Sequence, residues 1–265
     1  MTPRIAPLNP VSTDTPVMDP MDALAQMLTS TDWIGEAMDV GVDLIFSDAR
    51  NGRGERLTHA LAIPEHYEPN YAYPLIVWLH ADGRNEMDAC RWLSAISPQN
   101  YVGLGLRGPC ADSDEPTRHY SWPDQPAASS LAGQVREAVD EAAETINLHP
   151  DRVFIAGSRE GGSLAVELGL MYPEWFAGVI AVDPAPLRER RLFARFQDAR
   201  EQNVFLGSGV SPTRETRQTV RHLTELMHSA GMAIETHRST ETEQRQQKMG
   251  RTIDSWVMQT IHSPR

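Results

Sequence analysis

The sequence has almost no cysteine. Cys90 and Cys110 are the two it contains, too few for a disulfide framework or a thiolate metal cluster. It has no surplus of positive charge either: 24 Lys and Arg stand against 36 Asp and Glu, a formal net charge of −12 and a pI near 5.2. The basic footprint that nucleic acid or anionic lipid demands is therefore missing, and neither partner is expected. No apolar run approaches the roughly 20 residues that cross a bilayer. The opening "MTPRIAPLNPVSTDTPVMDP" lacks the apolar core of a secretion signal, and with two free thiols the expected compartment is the cytoplasm. The nine histidines are scattered, with no His-x-x-His or Cys-x-x-Cys spacing, so neither a metal nor a cofactor is expected.

What is present suits an α/β domain. Apolar residues make up 40% of the 265-residue chain and charged residues 23%, enough for one large core. Residues 1–20, rich in Pro, Thr and Asp, are expected to be a disordered tail, and 21–265 a single domain. "DPMDALAQMLTS" puts Ala23, Leu24, Met27 and Leu28 on one face of a short helix. "VDLIFS" and "LTHALAIP", separated by turn-rich "DARNGRGER", predict an antiparallel hairpin. The unbroken run "PLIVWL" at 74–79 predicts a strand buried on both faces, with "YVGLGLRG" as a second candidate interrupted by glycines. Leu131, Val135, Val139, Ala142 and Ile146 recur at helical spacing. "DRVFIAG", "FAGVIAVD", "NVFLGSG" and "MAIETH" predict further strands. They alternate with helices over "EGGSLAVELGLMYP", the basic "LRERRLFARFQDAR", "TRETRQTVRHLTELMHSAG" closed by Gly231, and "DSWVMQTI". A hairpin followed by strand–helix alternation implies a mostly parallel sheet with helices on both faces.

Three runs carry a resemblance. "YPLIVWLHADGRNE" looks like a strand leading into a loop that supplies part of an oxyanion hole. "INLHPDRVFIAGSREGG" looks like the approach to a nucleophile elbow, and "FAGVIAVDPAP" like the strand that follows one. Together they resemble the α/β-hydrolase superfamily, and within it the phospholipase/carboxylesterase and polyester-depolymerase-like esterases, over roughly residues 40–262. The resemblance implies an eight-stranded-type, mostly parallel sheet. It also implies a serine on a G-x-S-x-G turn, served by a histidine that an acid orients.

The residues depart from that pattern at each station. Gly157 and Gly161 match the two glycines, but Arg159 takes the nucleophile's place, with Ser158 before it and Glu160 after it. A guanidinium does not lose its proton near neutral pH, so it is neither base nor nucleophile. After "NVFLGSG", where the acid belongs, stand Val210 and Ser211. Counting back from Trp256 to the histidine's place reaches Thr242 and Glu243, while His237 comes too early. The oxyanion loop His80, Ala81, Asp82, Gly83 carries an alanine where the resemblance implies glycine. "HYSWPDQP" resembles a loop lining the pocket, with Tyr120 and Trp122 offered to a ligand or to the core.

Three functional readings follow. The first is a hydrolase body that no longer hydrolyses, whose elbow, with Arg159, helix amides and loop amides, binds a small anionic ligand or regulates. The alternative is a weak carboxylic-ester hydrolase using Ser158, with His80, His119 or His237 as base. The third is an interaction protein whose tail and polar 237–250 segment meet a partner that nothing in the residues names. Asp82, Asp183 and Glu160 are carboxylates expected at the same sheet edge, as solvated loop acids or as a group that perturbs a pKa or holds a cation.

Overall fold

In a computed structural model, residues 43–50, 56–111, 119–123, 128–187, 195, 197–209, 212–239 and 245–263 are described. The run at 74–79 lies in strand β3 (Tyr73–Leu79), all of it buried. Its neighbours explain why: β3 pairs in parallel with β4 (Val102–Leu106) on one side and β7 (Leu148–Ser158) on the other. A strand walled on both edges and both faces must be apolar on both faces. The hairpin β1 (Asp43–Arg50) and β2 (Arg56–Ile63) joins antiparallel to β4. Beyond β7 lie β8 (Gly178–Val182), β9 (Asn203–Ser208) and β10 (Ala233–Arg238), all parallel. The sheet has eight strands in the order β1-β2-β4-β3-β7-β8-β9-β10. A small ribbon of β5 (Cys110–Ala111) and β6 (Tyr120–Ser121) stands apart from it.

Two core layers follow from the two-residue period of the strands. Leu75, Val77, Leu79 and Ile155 face one layer, roofed by α2 (Ala128–Thr145), α3 (Glu160–Met171) and α4 (Arg214–Ser229). Ile76, Trp78, Phe154 and Ala156 face the other, covered by α1 (Asp88–Ile96) and α5 (Arg245–His262). At about 1.5–3 kcal/mol for each large side chain buried, these layers dominate the stability. Helix α3 is apolar nearly all round and buried from Gly161 to Leu170, as a helix at the centre of the sheet must be. Helix α4 begins on Thr213, whose Oγ1 accepts the Thr216 N–H at 3.1 Å, and is followed by Gly231 at φ 74°.

The architecture is α/β with helices on both faces, as the alternation implies. Several boundaries differ from the sequence expectation. Helix α1 was not expected, although Ala89, Leu93 and Ile96 recur at helical spacing and are buried. The C-terminal helix, of which residues 254–261 were expected to be part, runs from Arg245 to His262. Of the basic helix expected over 187–200, only a 3-10 turn at Asp198–Glu201 belongs to the described residues. The tail and the helix with Ala23, Leu24, Met27 and Leu28 lie outside them. Among the described residues no helix is long and apolar enough to cross a membrane.

Candidate functional site

Strand β7 and helix α3 are joined by one residue, Arg159, at φ 51° and ψ −115°. So abrupt a turn requires bare backbone on both sides. A Cβ on Gly157 would sit 2.4 Å from the Gly161 carbonyl carbon, and one on Gly161 would sit 2.2 Å from the Leu79 oxygen. The turn is then locked. The Arg159 N–H donates to the Val182 carbonyl at 2.9 Å, while its own carbonyl accepts the N–H groups of Ser163 at 3.0 Å and Ala185 at 3.1 Å. The buried Ser163 hydroxyl adds a bond to the same carbonyl at 3.2 Å and another to Ala185. A non-glycine residue in this region costs about 1–3 kcal/mol, and these bonds hold it there.

The Arg159 side chain projects into solvent, 59% exposed, with its Nε 3.8 Å from Glu160 Oε2. Glu160, much less exposed at 17%, turns back over the elbow and accepts the Asp82 backbone N–H at 3.2 Å. In this type of turn an oxyanion hole is made by the amide after the nucleophile's place, here Glu160, and one from the loop after the third strand. The described geometry thus puts a resident carboxylate on a loop amide of that kind.

The loop 80–83 is rigid for reasons of its own. His80 is fully buried. Its Nε2 accepts the Gly108 N–H at 2.8 Å, which leaves the proton on Nδ1, donated to the Ala81 carbonyl at 2.7 Å. Burial pushes its pKa below the usual imidazole value, against the smaller opposing pull of the Ala81 carbonyl and of Asp88, Glu86 and Asp82. With both nitrogens engaged, His80 has no lone pair to offer the elbow. Trp122 donates its indole N–H to the His80 carbonyl at 2.8 Å, and its backbone N–H to Asp82 Oδ1 at 2.9 Å. Gly83, at φ 77°, donates to the Tyr120 carbonyl at 3.0 Å, and His119 Nδ1 lies 2.8 Å from the Gly83 carbonyl. Arg107 stacks 4.6 Å over the Tyr120 ring and forks onto the buried Glu86, its Nε 2.7 Å from Oε2. The structure therefore brings Tyr120 and Trp122 against the loop, Trp122 as a buried wall and Tyr120 half-exposed.

The remaining stations are more scattered. Ser158 is the last residue of β7, half-buried; among the described residues no hydrogen bond joins its hydroxyl to an imidazole. His237 lies inside β10, opposite Gly207, its ring 6.5 Å from that of Phe205. Asp183, at φ 48°, closes the gap between two strand ends: its Oδ1 accepts the Gly209 N–H at 2.8 Å. Val210, Ser211, Thr242 and Glu243 lie outside the described residues. Among the described residues no group of three or more His, Cys, Asp or Glu could hold a metal ion. Sequence reasoning missed Ser163 as the lock of the elbow. Its only signal was a hydroxyl in the first turn of a mostly apolar helix.

Strand order, the one-residue elbow and the buried helix behind it define an α/β-hydrolase fold. No protein-family model matches the chain. It is 35% identical over 127 residues to NocK of Nocardia uniformis subsp. tsuyamanensis, a protein named as an esterase. That match takes in 44% of this chain and 36% of NocK, so the chain spans about a third of that relative's length. It is 24% identical over 200 residues to MhqD of Bacillus subtilis (strain 168), named as a hydrolase, covering 74% of this chain and 98% of MhqD. Among solved structures, S-formylglutathione hydrolase FrmB of Staphylococcus aureus superimposes with a TM-score of 0.57 at 12% identity, covering 83% of this chain and 98% of that one.

Proposed function

We propose that this protein is an esterase-type α/β-hydrolase body working without a serine nucleophile in the cytoplasm, and that its elbow binds a small organic anion instead of turning over an ester. The observation that carries this reading is the Glu160 carboxylate on the Asp82 amide, beside a guanidinium at the nucleophile's place. An ester carbonyl arriving there would meet a cation with no electron pair to give and a loop amide already occupied by a negative charge. An anion is drawn to the same cation, and Glu160 must move aside for it. The Arg159–Glu160 pair is long and solvent-screened, a class of contact worth about 0–1 kcal/mol. A ligand carboxylate that takes the amide replaces the Glu160 bond with one of the same kind, so its gain is the charge-assisted contact to Arg159, about 1.5–3 kcal/mol at most. Glu160 then serves as a placeholder that keeps the amide satisfied until an anion displaces it.

The test has two arms. A serine-directed fluorophosphonate probe should leave the protein unlabelled, and p-nitrophenyl acetate should be cleaved no faster than in buffer. Small carboxylates should raise the melting temperature by a few degrees, and Arg159→Ala should abolish that rise. Labelling that disappears in Ser158→Ala would replace this reading with a weak ester hydrolase using Ser158, an ester chemistry that the name of NocK supports.

A further inference from the structure

A second candidate site lies at the other end of the same strands. Seven residues of β3 separate the loop at His80 from Tyr73, about 20 Å of extended chain. At that end a cavity of about 430 Å³ opens between the start of β3, the segment before it and the end of α5, with Glu65, Glu68, Tyr71, Tyr73, Arg152 and Met258 on its walls. The volume is in the range of small-molecule sites.

Three observations give the cavity a chemistry. Tyr71 and Met258, 48% and 37% exposed, are the exposed large apolar side chains among the described residues, and both stand on its walls. Tyr71 is held edge-on to Tyr73 with ring centroids 4.7 Å apart, so the apolar wall is a fixed surface. The second observation is a break in the sheet. Tyr73 faces Leu148 but Leu75 faces Val153, so a step of two residues on β3 meets a step of five on β7. The surplus chain, 149–152, bulges out and carries the half-buried Arg152 to the cavity. Third, among the described residues Arg152, Glu65 and Glu68 make no ion pair or side-chain hydrogen bond. Charges of both signs thus line one concavity, polar and apolar in about equal part, with no ion pair between them.

We infer that this cavity binds a small zwitterion with an apolar body, the chemistry of a free aliphatic or aromatic dipeptide. Its carboxylate meets Arg152, its ammonium meets Glu65 and Glu68, and its side chains lie against Tyr71 and Met258. A purely anionic ligand would face the two glutamates unpaired, and a purely cationic one would face Arg152. The inference is independent of the elbow, because the two sites lie at opposite ends of the central strands.

The experiment is calorimetric titration of the full chain with leucyl-phenylalanine, its N-acetyl form and its C-terminal amide. The free dipeptide is expected to bind with a dissociation constant below about 1 mM, and each blocked form about fivefold more weakly. Arg152→Gln should bring the free acid and the amide to equal affinity while leaving the preference for the free amine. The double change Glu65→Gln and Glu68→Gln should do the reverse. Tyr71→Ala should weaken all three ligands together. Absence of saturable heat at about 10 mM, equal affinity of the three ligands for the unaltered protein, or an acid-over-amide preference that survives Arg152→Gln would each overturn the assignment.

Discussion

Arg159 combines two costs that a protein ordinarily avoids. Its backbone occupies a left-handed region at φ 51°, and its charge stands at the start of a twelve-residue helix, where the macrodipole disfavours a cation. Glu160 offsets part of the second cost, since a carboxylate in the first helical turn favours the positive end and lies within 3.8 Å of the guanidinium. The first cost is met by the backbone bonds and the Ser163 hydroxyl that lock the turn, not by any contact of the guanidinium. Arg159→Gly should therefore stabilise the fold by about 1 kcal/mol, the strain relieved exceeding the extra flexibility glycine brings to the unfolded chain. A urea unfolding midpoint that moves down would show that the guanidinium, and not the turn, governs stability there. The same substitution should remove the anion-induced rise in melting temperature, so stability and binding move in opposite directions. That opposition marks a strained residue kept for its side chain.

At the scale of elements, the site is a contact between β3, β7 and α3 with no room to spare. The glycines at 157 and 161 were legible in the sequence as the frame of the elbow, because spacing alone sets them on either side of the turn. What they touch was not legible. Gly161 presses against the carbonyl of Leu79, a residue 82 positions away (161 − 79), and a methyl group there would overlap backbone at 2.2 Å. Gly161→Ala must push the helix off the strand. It should destabilise by about 3 kcal/mol, at the upper end for overpacking because the obstacle is backbone and not a flexible side chain. Thermal or denaturant unfolding checks this, and a loss below about 1 kcal/mol would mean that α3 slides easily. The carboxylate on the Asp82 amide belongs to this scale too. Glu160 and Asp82 were both expected near the edge of the sheet, but their meeting depends on how closely α3 approaches β3.

For the whole molecule, acid stability reports on the loop that faces the elbow. His80 is buried and neutral, with burial holding its pKa below the ordinary 6.5. The unfolded chain therefore takes up a proton near that ordinary value while the folded protein does not. Stability contributed by the neutral form is complete above the unfolded value and is lost as pH falls through it toward the depressed folded value. Unfolding midpoints should decline between neutral pH and about pH 5, and His80→Gln, which cannot take up a proton, should flatten that decline while lowering stability at pH 7. An unchanged slope in the variant would assign the acid sensitivity elsewhere.

Much of the fold was written in local pattern. The continuous apolar run of β3, the 3.6-residue rhythm of α2 and the small residues about 157–161 each express a constraint that one segment meets alone, so composition and periodicity were enough to read them. The same holds for the absence of an ionisable-proton acceptor at position 159, which is a matter of residue type. Helix α1 was not expected, and its buried face takes in Asp88 and Cys90 beside Ala89, Leu93 and Ile96. His80 reads in the sequence first as a loop hydrogen-bonder and only then as a base, and in the fold it bonds the Gly108 amide and the Ala81 carbonyl, partners the sequence did not name. The engagement of a loop amide by Glu160, and the meeting of Arg152 with Tyr71 and Met258 on one cavity wall, arise where strands distant in the chain end together. Charge and hydrogen-bond complementarity act over a few ångströms of space, whatever the separation along the chain, and only the tertiary structure decides which groups come that near.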